Sequence, residues 1–293
     1  EGGGGEGGGG EGVDWRESVS WPFEPLCAEL RCSLFHSRWE RRHGAGAGLR
    51  AVLRAHGCSA GSVGGVRACV RDELRGQWLE DCAFRLLAVL ALDRFGDWSA
   101  GDRVTAPVRE TAAQALAVAL HSMEGGCAAQ VVRALLTMSR EGVWEVRHGA
   151  LLGLKYCLPA REDLLPELLP LATPSLLQAL ADDDDDVRAG AAASLLGVAS
   201  HLEALVPSRL SRLFGALWDA LASVDELTAS TASVMGLLAS LCASLPYATL
   251  AAAEARGEAA ALSPLPAEAG GPPPGLRRGV SVFSLVVPRL WPF

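Results

Sequence analysis

WEVRHGALLGLKY, Trp144 to Tyr156, is close to a second copy of WERRHGAGAGLR, Trp39 to Arg50. A Trp-Glu-x-Arg-His-Gly phrase that returns after 105 positions is either a duplicated site or a structural unit. Its spacing favours the unit. From Val146, steps of 3, 4, 7, 8, 11 and 12 land on Gly149, Ala150, Gly153, Leu154, Cys157 and Leu158, which is one face of an α-helix. The same steps from Val187 give Gly190, Ala191, Ser194, Leu195, Val198 and Ala199. From Val108 they give Thr111, Ala112, Ala115, Leu116, Ala119 and Leu120. From Leu227 they give Ser230, Thr231, Val234, Met235, Leu238 and Ala239, and from Arg41 they give Gly44, Ala45, Gly48, Leu49, Val52 and Leu53. Each face is small in its first two turns and bulkier after. Gly costs a helix about 1 kcal/mol against Ala, so its return on this face points to close approach by a neighbouring helix.

The five series start at 41, 108, 146, 187 and 227, with gaps of 67, 38, 41 and 40. That period belongs to HEAT and armadillo repeats. A partner helix is expected before each, at about 24–36, 73–95, 126–140, 164–181 and 207–223. The expected fold is all-α: a HEAT/armadillo-type α-solenoid of antiparallel helix pairs. Residues 1–20, opening EGGGGEGGGGEG, read as a disordered Gly-rich tether. Residues 21–248 read as an array of about five pairs with an insert near 57–72. Residues 249–279, rich in Pro and Gly, read as a disordered loop, and 280–293 as the truncated start of a further repeat.

Composition narrows function. Net charge is −8, which suits a basic protein partner and disfavours non-specific DNA binding. Eight cysteines without a C-x-x-C read as buried free thiols. No apolar run approaches the roughly 20 residues of a membrane span, so no membrane partner is expected. The only lysine, Lys155, precedes Tyr156, which excludes a Gly-x4-Gly-Lys-Ser/Thr phosphate loop from this segment. His43 and His148 lack a recurring nucleophile and read as packed side chains. Cys27, Cys32 and His36 come nearest to a zinc set, and helical registry explains them as well. The acidic run 182–186 lacks the ligand spacing of a calcium loop. No catalytic residue, cofactor site or metal site is expected here.

Turns that precede the series carry acidic and aromatic residues. Carboxylates there cap exposed helix N–H groups. Arg42, Arg109, Arg147 and Arg188 each follow a series start and are spaced to reach the next turn as a ladder between layers. Trp39, Trp144 and Trp218 are expected to wedge near the turns. The candidate partner contacts are Trp39, Glu40, Trp144, Glu145, Asp183, Asp184, Asp185, Asp225 and Glu226.

The ordered phrases WPFEPLCAELRCSLFHSRWERRHGAGAGLRAVLRAHG, ALDRFGDWSAGDRVTAPVRETAAQALAVAL, VWEVRHGALLGLKY, DDDVRAGAAASL, LWDALASVDELTAST and VVPRLWPF together resemble one family. It is that of the TATA-binding-protein-associated factor, a Snf2-type, helicase-like ATPase. The resemblance covers nearly all of 21–293 apart from the insert and the Pro/Gly-rich stretch, which looks foreign to the family pattern. It implies an N-terminal HEAT array that grips the TATA-box-binding protein through its inter-helix turns. It implies a nuclear protein whose ATPase part, with ATP and Mg, acts on adjacent DNA and strips the TATA-binding protein from it, regulating transcription by RNA polymerase II. None of the ATPase motifs occurs here, and a chain that starts without Met and stops at LWPF is expected to be a piece of something longer. The alternative reading is a generic HEAT scaffold of the transport-receptor or phosphatase-scaffold kind.

Overall fold

The computed structural model describes residues 20–94, 107–222 and 229–244. Helices dominate: α1 (Glu24–Ser33), α2 (Trp39–His56), α3 (Ala68–Leu92), α4 (Pro107–His121), α5 (Gly125–Met138), α6 (Trp144–Ala160), α7 (Leu165–Ala179), α8 (Asp185–Leu196), α9 (Ala199–Leu205), α10 (Leu210–Ala222) and α11 (Ala229–Ser244). Among the described residues the one β feature is an isolated bridge between Ser20 and Val63. The fold is an all-α solenoid of the HEAT/armadillo type, as the 40-residue period requires.

Two rows run along it. The helices of the expected series, α2, α4, α6, α8 and α11, pack in succession as an inner row. Their partners α1, α3, α5, α7 and α10 form an outer row. The short α9 lies between α8 and α10 and lengthens that connection.

Small residues let the inner-row helices close up on one another and on the outer row. On α6, Gly149 abuts the end of α3, where an added Cβ would stand 2.1 Å from the Leu90 carbonyl oxygen. On α8, Gly190 sits against Leu151 of α6, and the Ser194 hydroxyl donates to the Leu151 carbonyl at 2.9 Å. Gly149, Ala150, Gly190 and Ala191 are all buried. Glu110 and Gln114 of α4 reach Lys155 and Tyr156 of α6, which places the sole lysine in an inter-layer ion pair of 2.9 Å. Outer-row contacts are polar and wetter. Arg31 bridges to Asp81, Arg133 to Glu167, and Arg140 donates to the Ser175 hydroxyl.

Several expectations need correction. On α2, Arg41 and Gly44 face solvent; the close approach to α4 is at Gly46, against the Thr111 methyl. On α11, Met235 and Ala239 are exposed, because no described helix lies on that side. α3 begins at Ala68 rather than near 73, so the insert is shorter than expected. It turns at Gly61, whose φ of +64° places it in the left-handed region. Cys27, Cys82 and Cys157 are buried, Cys127 and Cys242 half-buried, and Cys32, Cys58 and Cys69 exposed. The tether before Ser20, Leu227, and all of 249–293 lie outside the described residues.

Candidate functional site

All inner-row helices begin at the same edge, and contacts between their first turns connect that edge into a ridge. His43 Nδ1 on α2 lies 3.1 Å from the Pro107 carbonyl oxygen and 2.9 Å from the Thr111 hydroxyl on α4. Arg109 on α4 donates to the Glu145 carbonyl on α6 at 2.8 Å. The Asp185 carboxylate on α8 accepts the Ser230 amide of α11 at 3.3 Å.

The repeated phrase builds this ridge. Trp39 and Trp144 open α2 and α6, each half-buried one turn before its histidine, with ring separations of 6.3 and 6.4 Å. His148 is 7% exposed, and its Nδ1 has no hydrogen-bond partner among the described residues. Burial first, then the positive charges of Arg109 and Lys155, push its pKa down to about 3, so it stays neutral at physiological pH. With no nucleophile beside it, this is a packed imidazole.

The arginine ladder exists, and it is drier than exposed ion pairs would be. Arg42 donates to Asp93 at 2.6 Å and to the His36 and Ser37 carbonyls. Arg147 grips Asp182 through two 2.8 Å bonds and reaches back to the Glu141 and Gly142 carbonyls. Arg109 is fully buried, with its guanidinium 5.9 Å from the Trp144 ring centroid. Arg188 turns back instead, onto the Asp182 and Asp183 carbonyls and the Asp185 carboxylate. Arg42 and Arg147 thus tie their own turn's carbonyls to an acid of a neighbouring layer, Arg188 ties them to its own turn's acid, and Arg109 reaches a carbonyl of the next layer. Planar multi-donor geometry suits this role and a lysine's would not.

Within the acidic run the five carboxylates have different jobs. Asp182 holds Arg147, and Asp184 caps α8 by accepting the Val187 amide at 3.1 Å. Asp185 joins Arg188 to α11. Asp186 is half-buried; loss of solvent, then repulsion by Asp184 and Asp185, raises its pKa to about 6. Asp183 is exposed, and its carboxylate makes no hydrogen bond or ion pair among the described residues. Of the other candidates, Glu40 is exposed and lies 3.6 Å from Arg38. Glu145 is mostly covered, 4.0 Å from Arg94. Neither caps its helix, because both lie inside the first turn. Trp218 is buried in α10, away from the ridge surface. Asp225 and Glu226 lie outside the described residues.

Reading the sequence missed two features. Asp93 closes α3 and receives Arg42 at a separation of 51 residues, against 35 for Arg147 and Asp182, so no common spacing pointed to it. A groove of about 1360 Å³ opens between α7 and α10, with Gln178, Asp183, Arg209, Arg212 and Asp219 along it. No three His, Cys, Asp or Glu side chains among the described residues converge as metal ligands. No described helix is long and apolar enough to cross a membrane.

Known proteins share this sequence in part. The HEAT-like repeat family matches residues 144–197. TATA-binding protein-associated factor 172 of Homo sapiens is 48% identical over 77% of this chain and 12% of its own length. TATA-binding protein-associated factor mot1 of Aspergillus fumigatus is 39% identical over 97% of this chain and 14% of its own. The chain therefore spans about an eighth of the length of these curated relatives. A designed armadillo repeat protein superposes with a TM-score of 0.43 at 15% identity, over 81% of this chain and 92% of that one.

Proposed function

We propose, on the premise that this chain is homologous to a segment of the TATA-binding protein-associated factors, that it is a HEAT-repeat scaffold which binds the TATA-box-binding protein. In this reading it serves a longer nuclear protein. That protein's ATPase part, with ATP and Mg, engages DNA, removes the TATA-binding protein from it and so regulates transcription. This segment contributes grip rather than chemistry. The observation that carries the reading, beside the homology, is the ridge: one edge of the inner row offers Trp39, Glu40, Trp144 and Asp183 to solvent in an acidic chain. Half-exposed tryptophans are good anchors, and exposed carboxylates attract a basic partner. Asp184, Asp185 and Glu145 support the ridge from below through their caps and ion pairs. Asp225 and Glu226 are proposed to extend it. As to domains, we take 21–248 as the helical array, 1–20 and 249–279 as its flexible flanks and 280–293 as the start of the next repeat.

The test is direct binding of purified TATA-binding protein to the immobilised chain across a salt series. Association should weaken as salt rises from about 50 to 300 mM. Glu40→Arg combined with Asp183→Arg should weaken it on the order of tenfold through the loss of complementary charge. Both side chains are exposed, so the helices should survive, which circular dichroism checks. No association at low salt, or association indifferent to both substitutions, contradicts the reading and favours a scaffold for another partner.

A further inference from the structure

α11 differs from the other inner-row helices in having no charged residue: its sequence is ASTASVMGLLASLCAS. A helix without a charged face is ordinarily enclosed on all sides. Here one side is enclosed: Ser230, Thr231, Val234, Leu237, Leu238 and Leu241 are buried, and the helix packs on α8 and α10. The other side is open. Ala232, Met235, Ala239 and Ala243 face solvent, Met235 is 40% exposed, and a Cβ on Gly236 would meet nothing within 4 Å. In the interior layers the positions equivalent to Met235 and Ala239 are Leu116 and Leu120, Leu154 and Leu158, and Leu195 and Ala199, all of them buried. The open side of α11 is therefore the inter-layer interface of the inner row, continued one step, with no next layer among the described residues.

We propose that residues 281–293 of the same chain, SVFSLVVPRLWPF, dock on this face. Eight of these thirteen side chains are Val, Leu, Phe or Trp, and Arg289 carries the segment's only charge. The match is of apolar to apolar, with no charge on the receiving helix to oppose it. Reach is ample: 36 residues separate Ser244 from Ser281, and an extended chain covers about 3.3 Å per residue. α11 itself is only about 24 Å long at 1.5 Å per residue. None of the candidate contacts of the ridge lies on α11, and the docking is tested without the ridge's partner.

The experiment uses the whole 293-residue chain with Met235→Cys, labelled by a maleimide and read peptide by peptide in a mass spectrometer. The exposed native thiol of Cys69 is the internal standard. Residue 235 should label on the order of tenfold more slowly than Cys69. A second variant adds Val286→Asp and Leu290→Asp, which place two charges in the segment proposed to dock. It should restore labelling at 235 to the Cys69 rate while helix content stays unchanged. Rapid labelling at 235 in the first variant overturns the proposal. So does protection that survives the two aspartates, or protection that grows with protein concentration, which would make a second copy the occupant.

Discussion

Inner and outer rows of this solenoid are built from the same chain and held by different physics. Between α6 and α8, and where α6 meets the end of α3, helices approach so closely that an added Cβ would stand 3.0 Å from the Leu151 Cβ at Gly190 and 2.1 Å from the Leu90 carbonyl oxygen at Gly149. Between α5 and α7 the bridges are Arg133–Glu167, more than half exposed on both sides, and Arg140 to the Ser175 hydroxyl. Beyond α7 the outer row opens into the groove before α10. Close packing fixes spacing and register and tolerates no added atom. Solvated ion pairs orient loosely and contribute little. The scaffold therefore has a stiff inner edge, where the candidate ridge sits, and a more yielding outer edge.

Substitutions can break that contrast in order of size. Gly149→Ala places a methyl on the Leu90 carbonyl and should cost about 3 kcal/mol or more in urea unfolding, at the severe end of overpacking. Gly76→Ala on the outer-row helix α3 meets open space and should gain about 0.5–1 kcal/mol from helix propensity. Equal effects would dissolve the distinction. Next come the ion pairs. Arg147→Ala removes the double grip on Asp182, whose partners are 18% and 13% exposed, and should cost about 2–3 kcal/mol. Arg133→Ala, on the outer row, should cost less than about 0.5 kcal/mol.

Acidity sharpens the contrast further, because the ridge holds two groups that pull in opposite directions. His148 is depressed to about 3 in the folded chain. Its contribution is present above the unfolded value near 6.5 and is lost as pH falls towards 3. Between pH 7 and pH 5 the loss should be about 2 kcal/mol, absent in His148→Leu, as thermal melts across that range would show. Asp186 is raised to about 6. Its favourable share is complete below about 3.8 and disappears as pH rises through 6. Asp186→Asn should therefore stabilise the chain at pH 7.5 by about 1 kcal/mol, after discounting for its half-exposure, and the gain should vanish by about pH 4.

Much of the inner row was legible in the sequence because a helix face repeats with a fixed step. The series from Val108 and Val187 are buried at every position, and α4, α6 and α8 begin within two residues of their series starts. What the pattern does not carry is the neighbour. Gly44 and Met235 have the right register and still face solvent, since each belongs to an end layer of the described array. The ridge was half legible. Its tryptophans and acids stand out, but sequence does not tell a free carboxylate from one already engaged. Asp183 and Asp184 are adjacent and alike in type; one is open to solvent and the other caps α8. That difference is set by backbone direction at the helix start, which composition leaves undetermined.

The most direct test of the stiff inner edge is native-state amide hydrogen exchange on the intact chain. Amides of α4, α6 and α8 should exchange only through the largest opening events, while those of α5 and α7 exchange on the order of tenfold or more faster through local opening. Outer-row helices protected as well as, or better than, α4, α6 and α8 would contradict the account.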